Sequence, residues 1–194
     1  MANLIQEAIL KAMAVHQGEV RKGDGETPYV LHPLEVGITV SHYTTDEILI
    51  ASAILHDVVE TGKVTTQEIQ NEFGDGVADV VGRLTEDQSI KDWAERKGEN
   101  LRRLNDLKVA YFIRAVDSLV NMKDLFAAIQ SHGQSVWDKF NAPRAHKISY
   151  FEKVLEDIKE ELPRSLLEKY VSALKDLQYS HLIASPGSEI GFRE

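Results

Sequence analysis

The stretch that most constrains this chain is residues 48–61, ILIASAILHDVVET, an apolar run that ends in His56, Asp57 and Glu60. Read as a helix it turns about 100° per residue, which puts Asp57 about 100° and Glu60 about 40° around the axis from His56. Three ionisable groups then share one sector at the end of a rod otherwise made of Ile48, Leu49, Ala51, Ile54 and Leu55. Buried ionisable groups are costly unless they are paired or metal-bound. A metal ion is the economical explanation. A His-Asp pair recurs often by chance, so further ligands have to come from elsewhere in the chain.

Composition narrows what that ion can be. The chain has no Cys, which excludes a disulfide framework and a thiolate site and leaves His, Asp and Glu as ligands. Such donors suit Mn²⁺, Fe²⁺ or Mg²⁺, and Zn²⁺ stays open. The 194 residues suit one domain with a substantial core, expected over residues 1–182, and a loose tail is expected over 183–194. No apolar run approaches the ~18 residues of a membrane span, and the first residues read as a helix and not as a secretory signal. These absences favour a cytoplasmic protein. The net charge of −9, from 22 basic and 31 acidic residues, argues against long nucleic acid as a partner. It permits a small phosphorylated ligand, which needs only a local cluster of cations. The oligomeric state stays open.

The periodicity is helical throughout. Leu4, Ile5, Ala8, Ile9, Ala12 and Met13 define an amphipathic helix over residues 3–16 that delivers His16 at its end. A polar loop with Arg21 and Lys22 follows, and a second helix is expected with Pro33 at its first position. Thr44-Thr45-Asp46-Glu47 and Thr65-Thr66-Gln67-Glu68 both read as capping boxes. Residues 107–125 are largely apolar, with Asp117 and Asn121 on one face. Helices are also expected over residues 145–162 and 163–179. No segment alternates strictly and no repeat has a fixed period. The expectation is an all-α bundle of roughly eight to ten helices.

His32, His56-Asp57 and Asp117 all stand among apolar neighbours and together offer two imidazoles and two carboxylates, a set suited to a hard or borderline divalent ion. Asn121 would face the same cavity one turn after Asp117, and Glu60 would face it from the central helix. Each has a plainer reading as well. His32 fits a core histidine with its hydrogen bonds satisfied, and Asp117 fits a buried partner of Arg114. Arg21-Lys22 fits a solvated loop, and Glu95-Arg96-Lys97 a salt-bridged helix surface.

Ordered fragments carry a resemblance as well. They are His16-Gln17-Gly18 with Arg21-Lys22, Thr27-Pro28-Tyr29-Val30-Leu31-His32-Pro33 and Ala53-Ile54-Leu55-His56-Asp57-Val58-Val59-Glu60. Phe73-Gly74, Thr85-Glu86-Asp87, Glu95-Arg96-Lys97 and Asp117-Ser118-Leu119-Val120-Asn121 follow in the same order. With these the chain resembles the HD-domain metal-dependent phosphohydrolases. More narrowly, it resembles the (p)ppGpp hydrolase domain of RelA/SpoT-type proteins and the small alarmone hydrolases. The resemblance implies a compact helical fold with Mn²⁺ held by His32, His56, Asp57 and Asp117. It implies nucleotide binding by Arg21, Lys22, Asn121 and Tyr150, with Glu60 as the first carboxylate of a catalytic Glu-Asp pair. The implied reaction releases pyrophosphate from the 3′ position of a guanosine or adenosine alarmone.

Thr61 stands where the family usually has the Asp of that pair, and Ser118 and Val120 replace the usual Lys and Tyr around Asp117. Thr61 carries no charge to orient water or shuttle a proton. Two other expectations therefore accompany the first: a phosphatase acting on another nucleotide, and a nucleotide-binding sensor with weak turnover.

Overall fold

A computed structural model describes residues 3–182; the tail expected over 183–194 lies outside the described residues. The all-α expectation holds. Among the described residues there are nine α-helices and three short 3₁₀ helices, with no strand beyond an isolated Val20–Pro28 bridge. None of the helices is long and apolar enough to cross a membrane.

Helix α1 (Leu4–Val15) starts where Asn3 Oδ1 accepts the Ile5 N–H at 2.9 Å, and it buries Ala8, Ala12 and Val15. Helix α2 (Leu31–Ser41) begins two residues earlier than expected, so Pro33 occupies its third position and not its first. The first turn tolerates this because its N–H groups have no partner within the helix. Gly37 lets α2 approach α3 (Glu47–Ile54) closely: a Cβ there would stand 2.4 Å from Ile54 Cγ1.

Two details of α3 differ from the sequence reading. Asp46 caps it by accepting from Ile48 N–H at 2.9 Å, so the box expected at Thr44 does not form. More consequentially, α3 ends at Ile54, and the rod expected to reach Thr61 does not exist. In a continued helix the Ala53 carbonyl would accept from the Asp57 N–H. The imidazole of His56 takes that carbonyl instead, with Nδ1 at 2.8 Å. His56 and Asp57 therefore occupy a tight turn, followed by a 3₁₀ helix over Val59–Thr61 that ends at Gly62, whose φ is +72°. Gly supplies that left-handed backbone without steric cost.

The box at Thr65 forms as expected and starts α4 (Thr66–Phe73); after Gly74, α5 (Asp75–Leu84) follows. Helix α6 (Trp93–Leu104) is capped by Asp92, whose carboxylate accepts from Glu95 N–H at 2.8 Å. Helix α7 (Lys108–His132) spans 25 residues, or roughly 37 Å, and is buried almost continuously from Ala110 to Val120. Helices α2, α5, α8 (Arg144–Ile158) and α9 (Arg164–Gln178) pack around it. That placement puts Asp117, midway along α7, at the centre of the bundle.

Candidate metal centre and adjoining cavity

Three separate segments bring four donors together. His32 comes from the first turn of α2, His56 and Asp57 from the turn after α3, and Asp117 from α7. Their exposures are 3%, 3%, 7% and 5% respectively, so water does not screen them. Donor atoms of His32, His56 and Asp57 all lie within 4.8 Å of one another. Asp117 Oδ1 lies 3.1 Å from His32 Nε2 and 3.7 Å from His56 Nε2, and His56 Nε2 lies 3.9 Å from Asp57 Oδ2.

Three of the four donors, His56, Asp57 and Asp117, are oriented from behind. Donation from His56 Nδ1–H to the Ala53 carbonyl assigns the tautomer and leaves the Nε2 lone pair facing the cluster. Asp57 Oδ1 meets His16 Nε2 at 3.1 Å, and its Oδ2 accepts from the Tyr29 hydroxyl at 2.8 Å. His16 is held in turn by Glu19, whose Oε2 lies 2.8 Å from Nδ1. Burial pushes the His16 pKa down, but the two carboxylates outweigh it and raise the value above the ordinary imidazole range. Asp117 accepts from Arg114 Nη1 at Oδ2 (2.8 Å) and from Asn121 Nδ2 at Oδ1 (2.6 Å).

Burial would raise the pKa of both aspartates. The imidazoles of His56 and His16 nevertheless hold Asp57 well below the usual carboxylate range, and His32, His56 and Arg114 do the same for Asp117. His32 moves down, because burial outweighs Asp117, and its Nδ1 has no partner among the described residues. Asp117 does pair with Arg114, as its plainer reading held, yet Oδ1 stays turned to the imidazoles. His32 is not a satisfied core histidine. Two imidazoles and two ionised carboxylates, buried and convergent, fit a divalent ion.

A cavity of about 540 Å³ adjoins this centre, sharing Asp117, Tyr29 and Asn121 with it. Arg21 reaches in from the loop after α1, donating from Nη2 to Asn121 Oδ1 and to Asp124 Oδ2, both at 2.8 Å, and it stacks over Tyr29. Arg21 is thus no solvated loop residue; Lys22, at the rim, is exposed. Tyr150, from α8, packs edge-on to Trp93 and has a buried hydroxyl with no partner among the described residues. All four residues assigned to nucleotide binding from the resemblance line this one cavity.

Glu60 stands behind the lining, near enough to Arg114 and Lys97 to feel both charges. The shared sector required a continuous helix, and because α3 ends early, Glu60 does not line the cavity. Its Oε1 accepts from the Glu86 N–H at 3.0 Å. Burial, and then the neighbouring Glu86 carboxylate, raise its pKa. Glu86 is itself held by Arg96 Nε at 3.0 Å and by Lys97, which also lies over the Tyr150 ring at 4.9 Å. Arg96-Lys97 is therefore an inward-facing pair and not a helix surface. Thr61 turns to the backbone, donating to the Val58 carbonyl at 2.7 Å and accepting from Lys63 N–H at 3.1 Å.

Sequence reasoning assigned no role to His16, Tyr29, Glu86, Lys97 or Lys147. For His16 a signal existed: it continues the four-residue spacing of Ala8 and Ala12, and so stands on the buried side of α1. Lys97 lies one turn after Trp93, which hints at an aromatic neighbour and nothing more.

Comparison with known proteins gives the family. The HD domain family matches residues 8–146. The guanosine-3′,5′-bis(diphosphate) 3′-pyrophosphohydrolase MESH1 of Xenopus tropicalis is 32% identical over 126 residues, covering 64% of this chain and 70% of that protein. A guanosine-3′,5′-bis(diphosphate) 3′-pyrophosphohydrolase of Aquifex aeolicus is 32% identical over 155 residues, which are 76% of this chain but 22% of that longer protein. A solved structure described as a metazoan ortholog of SpoT that hydrolyzes ppGpp superposes with a TM-score of 0.73. It is 26% identical, and the match covers 90% of this chain and 96% of that one.

Proposed function

The chain belongs to the HD domain family, and on that premise we propose that it is a metal-dependent phosphohydrolase of alarmone-type nucleotides. It releases pyrophosphate from the 3′ position of (p)ppGpp or (p)ppApp, and residues 1–182 act as one hydrolase domain. The observation that carries this is the meeting of the His32, His56 and Asp57 cluster, joined by Asp117 at its imidazoles, with a cation-lined cavity at Asp117. The relatives' names point the same way.

His32, His56, Asp57 and Asp117 would hold the ion, with Mn²⁺ the favoured metal for an oxygen- and imidazole-rich set. Bound there, it supplies Lewis acidity toward a phosphoryl oxygen and lowers the pKa of water. Arg21 and Lys22 neutralise the diphosphate, Asn121 orients the nucleotide beside Asp117, and Tyr150 offers its free hydroxyl. Water oxygen bonds to the phosphorus carried by the 3′ oxygen, and that P–O bond breaks. Pyrophosphate leaves with the new oxygen, and the 3′ oxygen takes a proton. Glu60 stands outside the cavity lining, but Arg114, which holds Asp117, and Lys97, which lines the cavity, both lie near enough to act on its charge. Its Oε2 makes no hydrogen bond among the described residues, and we assign Glu60 to take the proton from water and return it to the leaving oxygen. Such general acid–base help is typically worth about 10²- to 10⁴-fold.

The rival phosphatase reading rests on Thr61, which bonds to backbone and supplies no second carboxylate. A screen of nucleotides with Mn²⁺, scoring pyrophosphate against orthophosphate, tests both. Pyrophosphate from an alarmone supports the first reading, orthophosphate from another nucleotide the second. Binding without either product leaves a sensor.

A further inference from the structure

The carboxylates around the cavity are already engaged. Asp117 accepts from Arg114, Asp124 from Arg21, Asp24 from Thr27, and Glu86 from Arg96 and Lys97. Lys147, from α8, lines the cavity but has no carboxylate within ion-pair reach and no hydrogen-bond acceptor among the described residues. Its nitrogen lies 4.5 Å from the Phe140 ring centroid and 5.6 Å from that of Trp93. Cation–π attraction offsets part of the desolvation of a charge, but it is no substitute for an anion.

The charges that act on Lys147 are mostly positive. Lys97 acts from α6 and Lys22 and Arg21 from the loop after α1, with Glu86, from the segment before α6, opposing them. Helix α7 brings Asp117, Asp124 and His132 to the same cavity, and His146 precedes Lys147 on α8. Burial, then Lys97 and Lys22, push the Lys147 pKa from 10.5 down to about 8. Desolvation beside other cations is a recognised way to make a lysine nucleophilic at neutral pH. The side chain is only part-buried, so a small reagent in the cavity of about 540 Å³ can reach its nitrogen. The cations that discourage its proton also attract an anionic reagent.

We propose that Lys147 is a nucleophilic lysine that takes an acyl group from an acyl phosphate, a modification site in the wall of the cavity. Arg21, Lys22 and Lys97 draw in the phosphate of the donor. The uncharged nitrogen bonds to the acyl carbon, the bond from that carbon to the phosphate oxygen breaks, and orthophosphate leaves with the electron pair. The nitrogen loses its extra proton to solvent and an amide remains. Nothing is oxidised or reduced, and the step uses no metal, so it stands apart from the phosphohydrolase reading. The amide removes one positive charge from the cavity and leaves an acyl group beside Phe140 and Trp93.

Treating the folded protein with acetyl phosphate at neutral pH and mapping the acetylated peptides by mass spectrometry tests this. Lys159 and Lys175, both exposed, serve as references in the same sample, so loss of the donor affects all three sites alike. The lowered pKa raises the fraction of free amine about 300-fold, and the weaker nucleophilicity of a less basic group cancels part of that. Lys147 should therefore acylate roughly 10-fold faster than either reference. Its rate should level off above pH about 8, while the references still rise. Lys22→Gln should slow Lys147 several-fold and leave the references unchanged, because one cation fewer lets the amine keep its proton. In concentrated urea, where the cavity is gone, the three lysines should react alike. Equal rates at the three sites of the folded protein, a preference that survives urea, or a Lys22→Gln protein as fast as wild type at Lys147 would each overturn the proposal.

Discussion

Arg114 Nη1 donates to Asp117 Oδ2 at 2.8 Å, and this buried pair turns the other carboxylate oxygen toward His32 and His56. Arg114 Nη2 also donates to the Leu84 carbonyl at 2.6 Å, which ties the α7 side of the centre to the end of α5. Replacing Arg114 by Met should therefore leave a buried carboxylate uncompensated and cost about 3–5 kcal/mol. Urea unfolding with and without Mn²⁺ measures it. The loss should be smaller with metal bound, because the ion supplies positive charge that the arginine no longer does.

His56→Ala and Asp117→Ala each remove one of four donors. The helical circular dichroism should stay largely intact, while the metal content of the purified protein drops sharply. The rise in Tm that Mn²⁺ gives the wild type should shrink in both, since only a bound ion stabilises by mass action. Wild-type metal content in both variants would show that the ion sits elsewhere.

Arg21→Ala should raise KM more than Lys22→Ala. Arg21 is fixed by Asn121 and Asp124 and stacked on Tyr29, whereas Lys22 is exposed. Neither should change metal content, because neither meets a donor atom of the centre. Steady-state kinetics beside elemental analysis checks both halves of this prediction.

Glu60→Gln keeps the shape and removes the base, and should lower kcat by about 10²-fold or more at constant metal content. The altered group still accepts from the Glu86 N–H, so loss of the fold is not the expected cause. Thr61→Asp should raise alarmone hydrolysis if the missing carboxylate limits it. Its side chain must first leave the Val58 carbonyl, which a carboxylate cannot donate to. No gain on any alarmone, with turnover of another nucleotide intact, would favour the phosphatase.

Asp24 ties the loop that carries Arg21, accepting from the Thr27 hydroxyl and from the N–H groups of Glu26 and Thr27. Those bonds, the Thr27 hydroxyl first, lower its pKa from 3.8 to about 2. The folded value lies below the unfolded one, so the contribution to stability is complete above pH 3.8 and fades as pH falls toward about 2. Asp24→Asn should remove that part of the acid dependence, which parallel acid titrations of the two proteins would show. Identical acid profiles would leave Asp24 without a role in the loop.

Much of this protein is legible in its sequence because it depends on local physics. Apolar spacing marks the helices, Thr65 and Glu68 cap one another within a single turn, and Gly133 ends α7 with φ +74°. The metal donors are visible too, since His32 and Asp117 interrupt apolar segments where an unpaired polar group would be costly. The end of α3 is different. There the His56 ring competes with a backbone N–H for one carbonyl, and the buried cluster that holds the ring decides the contest. Periodicity cannot see this, so the expected sector of Glu60 was lost with the helix. Lys147 and Glu86 escaped for the same reason. A lysine in a polar stretch reads as solvated until Phe140 and Trp93, distant or adjacent in sequence, close over it. Glu86 reads as a loop acid until α6 brings Arg96 and Lys97 onto it. Residue type and spacing determined which chemistry this chain can perform; tertiary packing alone decided which charges lose their water, and with it which must be met by an ion or a substrate.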